Sequence, residues 1–521
     1  MKKMTLKMKL FGGLVGAALL AVSCAQGFDD NETFKSDVSN SQMESPTLTE
    51  TSFSTRVNPD GSESVVVSWP VVKGANGYEC KVSVVDDPAN PIVLVDQVID
   101  GCSVVFDRYE DTKYEVSIRT LGNKAQNNTD AEQAFVYAYS TLVPAITVPA
   151  GSDIAAFVRD NLDTTIITEQ AFELEAGANY TITEPIDFLT QAVTFRGDKV
   201  NRPTVKLQND ACIKVAAGLK IKFINFDCTE SNVDKMKYVY GSDKASSQYN
   251  FGFIVCGDAD YYPESYKSQN FGTKVDAAYV LADPVIVQEC NFKNVPKAFL
   301  AGGYNAWGVK DFRIDNCIIQ LATIDDDADR NNFISFNSNC GGYEGAFGLK
   351  WNGGVQNILI KNSTIYNTAK TSKKVRFIRE TSNCLNNIFG SHAGTFTMTD
   401  CTLYKTFQNS EFANNTPNNA AYVIKMTNNV FYEVSRLNKF VQGSCTKDGR
   451  MNNTSWAVEG NANENGELVS SSDVSNGIVV EEDPMFAAVP TVLDLTDSEK
   501  GGQNFKANGA ISSTIGDPRW K

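Results

Sequence analysis

Ile358-Leu-Ile-Lys-Asn-Ser-Thr-Ile-Tyr-Asn367 places apolar residues at 358 and 360, an Asn at 362 and a further apolar residue at 365. The same register returns as Val285-Ile-Val-Gln-Glu-Cys-Asn-Phe292, Phe312-Arg-Ile-Asp-Asn-Cys-Ile-Ile319, Phe396-Thr-Met-Thr-Asp-Cys-Thr-Leu403 and Ile424-Lys-Met-Thr-Asn-Asn-Val-Phe431. Looser copies start at Ile221 and Trp456. Period-two alternation predicts a strand with one buried face. The Asn or Asp that follows predicts a sharp bend, because these side chains tolerate the left-handed region and bond nearby backbone. Copies are separated by roughly 25 to 65 residues, as in a solenoid with variable insertions. No single copy can bury its own apolar face, so the copies must stack. The pattern predicts a parallel β-helix.

Composition narrows the chemistry. The chain of 521 residues holds one histidine, His392, against 30 Phe and 19 Tyr. Histidine-ligated metals and histidine-based acid/base pairs are therefore disfavoured. The net charge is −15, and the first 23 residues carry four Lys and no acid, which leaves 43 − 62 = −19 on the remainder. Nucleic acid is excluded as a natural partner of such a surface. An acidic polysaccharide would need a local basic patch or bound Ca2+.

Residues 1–23 read as a secretory signal, with Lys2, Lys3, Lys7 and Lys9 before an apolar run from Leu10 to Val22. The ending Ala21-Val22-Ser23-Cys24 resembles a bacterial lipobox. That resemblance implies lipidation of Cys24 and an outer-membrane lipoprotein. Asp29, Asp30 and Glu32 resemble the surface-export signal of such lipoproteins in Bacteroides-like bacteria. Residues 24–45 are polar and aperiodic, and are expected to form a flexible tether. From 46 to 145 short strands recur at Val65–Trp69, Gly77–Ser83, Cys102–Phe106 and Tyr114–Thr120. This stretch resembles a fibronectin type III module, with Trp69 and Tyr78 in its core and Tyr114 at its tyrosine corner. Such modules are usually spacers.

A helix is predicted over Asp153–Leu162, with Ile154, Phe157, Val158 and Leu162 on one face and Ser152 as N-cap. Phe172–Tyr180, Val193–Gly197 and Pro203–Leu207 follow. This run resembles the opening of pectin-lyase-like right-handed parallel β-helices, where an amphipathic helix plugs the end of the solenoid. The resemblance makes the chain all-β, with a β-helix domain over 150–521. Glu482-Asp-Pro-Met-Phe486 through Ile515-Gly-Asp-Pro-Arg-Trp520 resembles the ending of β-helix lipoproteins, a domain-of-unknown-function family of polysaccharide-utilisation loci. That context implies outer-membrane glycan-uptake proteins as partners.

Cys290, Cys317 and Cys401 share one register slot and read as small buried ladder residues, while a Cys80–Cys102 bridge is open to an oxidising compartment. Long insertions are expected at 230–283, 320–355 and 366–394, and binding sites usually lie in such loops. Asp325-Asp-Asp-Ala-Asp-Arg330 lacks the Gly and Glu of an EF-hand. It reads as a solvated loop or as a Ca2+ site through Asp325 and Asp326. Gly341–Asn352 brings Glu344, Lys350 and Trp351 together. It resembles the Asn-Gly-Tyr-Glu run of alginate- and chondroitin-type β-helix lyases, with Gly341 where their Asn stands. Glu344 is a candidate Ca2+ or hydroxyl ligand there and Lys350 a candidate catalytic cation, with Arg379 of the basic run beyond it as the second. Lys370, Lys373, Lys374, Arg376 and Arg379 form a basic run, either a uronate patch or a solvated loop. Tyr261, Tyr262, Tyr266, Tyr304, Trp307, Tyr343 and Trp351 are candidate platforms for sugar rings. Three functions stay open: binding of a pectin-like acidic polysaccharide, Ca2+-dependent polysaccharide lysis, and a structural or adhesive role.

Overall fold

In the computed structural model the stretch around Ile358 is the strand Gly354–Lys361, lying parallel between Trp307–Asp315 and Gly394–Thr399. The structure describes residues 38–60, 62–231, 252–256, 279–296, 298–302, 307–322, 332–336, 353–368, 376–380, 384–407, 412–414, 419–437, 440, 444–448, 452–456 and 477–521. The chain divides into two units, Met1–Leu142 and Val143–Lys521.

The first unit is an antiparallel sandwich. One sheet orders Phe53–Val57, Glu63–Ser68 and Ser103–Asp107, and the other Ile92–Ile99, Ala75–Val84, Lys113–Gly122 and Phe135–Ser140. Val65, Val67, Val104 and Phe106 alternate inward against Tyr78, Val82, Val116 and Ile118. Trp69 is buried edge-on to Tyr78. The Tyr109 N–H donates to the Tyr114 hydroxyl at 2.6 Å, which pins the corner expected at Tyr114. Two expectations are corrected here. Cys80 and Cys102 are free thiols, and the Cys102 Sγ lies 3.7 Å from the Tyr78 hydroxyl instead of bonding Cys80. Residues 38–45 are no tether: Asn40 and Met43 donate backbone N–H to Gln126 and Thr129, and Met43 is buried. Burial of the apolar Met43 side chain and the backbone hydrogen bonds to Gln126 and Thr129 hold the segment on the sandwich.

The second unit is a parallel β-helix with three sheets. The repeat expected from sequence forms the first sheet, in which Ile221, Val287, Ile314, Ile360, Met398 and Met426 stack in register toward the core. The residue after each strand adopts the left-handed conformation: Phe223, Glu289, Asn316, Asn362, Asp400 and Asn428 have φ between 51° and 60°. Asn and Asp dominate this slot because they bear that conformation at lower cost than most residues. The bend turns the chain into the second sheet, where Phe226, Phe292, Ile319, Ile365, Leu403 and Phe431 face inward. Trp456 does not open a first-sheet strand as expected. It ends Thr454–Trp456, which pairs in the second sheet with Val430–Tyr432.

The residue after each bend is buried. Cys290, Cys317, Ser363, Cys401, Asn429 and Asn453 occupy this slot in turn, and each is 0% exposed. The Cys317 and Cys401 N–H groups donate to Ser363 Oγ and Asn429 Oδ1 at 3.1 and 3.0 Å. Asn453 returns both of its donors to the backbone carbonyls of Met426 and Ile478. The ladder therefore changes from thiol to amide toward the C-terminal coils, with its polar groups satisfied. Burial pushes the Cys290 thiol up to about 12 and Cys317 and Cys401 well above the ordinary range.

The third sheet divides each expected insertion. Its strands Gly252–Cys256, Ile334–Ser335 and Ile378–Arg379 fall within 230–283, 320–355 and 366–394; the first insertion also holds Tyr279–Leu281, which pairs with Trp307–Asp315 in the first sheet, and the last holds the helix Cys384–Phe389. Beside these short strands runs a stack of rings, with Phe253–Phe299, Phe299–Phe333, Phe333–Phe377 and Phe377–Phe412 centroids 5.6, 5.1, 5.2 and 5.0 Å apart. Each such pair adds about 0.5–1.5 kcal/mol beyond its burial.

The N-terminal end and one outer face of the solenoid are covered by the chain itself. Helix Ile154–Asn161 buries Ile154, Ala155 and Val158 at the N-terminal end. Its N-cap is Asp153, not Ser152: the Asp153 carboxylate accepts the N–H groups of Ala155 and Ala156. Residues 477–521 lie along the outer face of the second sheet, where Leu493, Phe505 and Trp520 pack on Ile318, Tyr366 and Tyr404.

Candidate functional site

The outward column of the third sheet reads Asp187, Lys214, Val255, Ala301, Ser335 and Arg379 along the stack. Its character changes along the axis. Asp187 and Lys214 pair at 4.0 Å, whereas Val255, Ala301 and Ser335 are buried. Arg379 comes next and is partly exposed. Its strand partner Ile378 points inward and is fully buried, which fixes Arg379 outward by strand alternation.

Arg376 precedes the inward Phe377. Its N–H donates to Asn332 Oδ1 at 2.8 Å and its carbonyl accepts the Phe333 N–H at 3.1 Å. The Arg436 carbonyl accepts the Phe412 N–H in the same manner, also at 3.1 Å. Arg436 thus follows Arg376 in one column two coils later, about 10 Å along the axis. Arg376, Arg379 and Arg436 are all partly exposed. Beside them Glu380 is buried and its Oε1 accepts the Val355 N–H at 2.8 Å, tying the third sheet to the first. A guanidinium fork suits the two oxygens of a carboxylate, and these three side chains are brought to one flank while making contacts of their own.

Of the residues expected to form a site, Arg376 and Arg379 are therefore together. Trp307 is corrected: it opens the strand Trp307–Asp315, is 0% exposed and belongs to the core. Its carbonyl oxygen lies where a Cβ on Gly353 would come within 1.4 Å, so that the next coil must carry glycine there. A side chain so enclosed cannot stack on a sugar. Cys24, Tyr261, Tyr262, Tyr266, Tyr304, Asp325, Asp326, Tyr343, Glu344, Lys350, Trp351, Lys370, Lys373 and Lys374 lie outside the described residues.

The strands that bracket these positions are described. Ile318–Leu321 and Thr364–Asn367 pair in the second sheet, and Ile334–Ser335 and Ile378–Arg379 pair in the third. Among the described residues no group of three or more His, Cys, Asp or Glu could hold a metal ion, and no helix is long and apolar enough to cross a membrane.

Arg436 escaped the sequence reading because it stands outside the basic run. The signal that finds it is the third-sheet repeat Phe253-Ile, Phe299-Leu, Phe333-Ile, Phe377-Ile, which registers successive coils.

Known proteins with a likeness to this chain add little chemistry. Residues 1–180 match the model of a domain of unknown function, DUF4992, and residues 178–368 match a second domain of unknown function, DUF4957. No curated protein matches the chain. Among solved structures, the FN3tt mutant is 16% identical, with a TM-score of 0.14, over 19% of this chain and 96% of its own. A mutant of the PL6-family alginate lyase AlyGC is 13% identical, with a TM-score of 0.29, over 61% of this chain. This chain spans 39% of the length of that lyase.

Proposed function

We propose that this protein is a lipid-anchored surface protein whose solenoid binds an acidic polysaccharide. The observation that carries the reading is the grouping of Arg376, Arg379 and Arg436 on the third-sheet flank of a chain with net charge −15. With Arg376 and Arg379 on one coil and Arg436 two coils on, they suit carboxylates that recur along a polymer. The local field at the flank is what lets a polyanion approach against the overall charge. Cys24, after a basic and apolar leader, supplies the anchor in this reading, and the sandwich is the spacer. Ca2+ held by Asp325, Asp326 or Glu344 would bridge further carboxylates, and Lys350 is the residue through which lysis would proceed.

Affinity electrophoresis of the mature chain through gels cast with polygalacturonate, rhamnogalacturonan, alginate or chondroitin tests the proposal, each with Ca2+ and with chelator. At least one polyuronate should retard the protein, and neutral dextran should not. Equal mobility in every gel would overturn the reading. Ultraviolet-absorbing unsaturated uronates in the same samples would move it from binding to lysis.

A further inference from the structure

At the corner opposite the third sheet, the bends and the C-terminal segment enclose a cleft of about 540 Å³. Arg202, Glu289, Asp315, Asn316 and Asn362 form one side, and Lys500 and Arg519 come from the other. The size falls within the range of small-ligand sites, but the walls are polar and charged.

The charges in these walls are internally matched. Arg202 reaches Glu289 at 3.7 Å, Arg519 holds Asp517 at 2.8 Å, and Lys361 approaches Asp315 at 3.1 Å. Lys500 stands beside Glu499 on the segment, and both are exposed. Each cation thus has a carboxylate at hand, so a charged ligand gains little net attraction. A ligand whose hydroxyls both donate and accept is served by every wall. Carboxylates at Glu289 and Asp315 can accept from it, and the guanidinium and amide groups can donate to it.

Two further features sharpen this. The Arg202 Nε is buried with no hydrogen-bond partner, although its Nη1 donates to the Ser498 carbonyl at 3.0 Å. The Nη1 contact holds the guanidinium in the cleft wall. Glu289, Asn316 and Asn362, at φ 51°, 52° and 51°, are three successive bends, so their side chains repeat at the coil spacing on a rigid frame. Among the described residues no aromatic lines the cleft, so recognition there runs through hydrogen bonds, not ring stacking.

We propose that this cleft binds a neutral, hydroxyl-rich saccharide unit, at a site separate from the arginine flank. The inference rests on no part of the acidic-polysaccharide reading, and either can fail alone.

Calorimetry and saturation-transfer NMR on the mature chain with maltose, lactose, cellobiose and mannobiose test it, with digalacturonate and sulfate as charged probes. At least one neutral disaccharide should bind with a dissociation constant on the order of 1 mM, as befits a site without stacking. Arg202→Lys keeps the charge but removes the fork, and should weaken that binding about tenfold. Should Arg202→Lys lower the melting temperature, the exposed pair Glu499→Gln with Lys500→Ala supplies the second test and should weaken binding at least about threefold. Arg376→Glu should leave it unchanged. Absence of binding by all four neutral disaccharides would overturn the proposal, as would tighter binding of digalacturonate or sulfate. Undiminished binding in the Glu499→Gln, Lys500→Ala protein would overturn it equally.

Discussion

The Trp520 indole N–H donates to Thr364 Oγ1 at 2.7 Å, across 156 residues of sequence. Thr364 lies on the outer face of the second sheet, and its own hydroxyl donates to Asp517 Oδ2 at 2.7 Å. Gln320 accepts the Leu493 N–H, and the Tyr366 hydroxyl donates to the Thr491 carbonyl. The end of the chain is therefore the lid of the sheet.

Trp520→Ala should destabilise the solenoid by about 3 kcal/mol or more, the usual cost of truncating a buried aromatic. Denaturant unfolding measures it. A change within about 0.5 kcal/mol would mean that the segment lies on the sheet without supporting it.

The same segment carries an acid-sensitive tie. Burial raises the Glu482 carboxyl, but the Ser512 and Ile511 N–H groups that it accepts outweigh burial and leave it below its ordinary 4.5. A depressed folded-state value means that the folded form binds fewer protons, so the contribution is present above pH 4.5 and is lost as pH falls through the lower folded value. Glu482→Gln should flatten the fall of melting temperature in that acid range. An unchanged acid slope would place the loss in other carboxylates.

The bends make a third test. Asp400 has φ 54°, a conformation that a β-branched residue resists. Asp400→Val should cost about 1–2 kcal/mol, whereas Asp400→Gly should be close to neutral. Equal losses for both would assign the effect to the carboxylate and not to the backbone.

How far the sequence carried the fold follows from this geometry. The first two sheets were legible because each copy repeats period-two alternation and an Asn or Asp at the bend, and both signals are local. The third sheet was not. Ile334–Ser335 and Ile378–Arg379 are two residues long, too short for any alternation to register. They are held by the phenylalanine stack and by parallel partners from other coils, which are contacts between distant residues. The recurring Phe-Ile pair marked them, but its meaning depends on knowing the coil. Trp307 misled for a related reason: an aromatic near an expected insertion reads as exposed until its strand is extended to residue 307. Of the site, Arg376 and Arg379 were legible as basic residues in an acidic chain. Arg436 and the cleft at Arg202 and Arg519 were not, since folding alone brings these residues into place.

The central claim, that the arginine flank binds acidic polysaccharide, is met most directly by one comparison. Wild-type protein and the Arg376→Glu, Arg379→Glu variant are titrated with the best-retained polyuronate across a range of salt, with melting temperatures measured in parallel. The account predicts that the folded variant loses at least about tenfold in affinity at low salt and that the wild-type advantage shrinks as salt screens the charges. Equal affinity of the two proteins at every salt concentration, with the wild type binding, would contradict it.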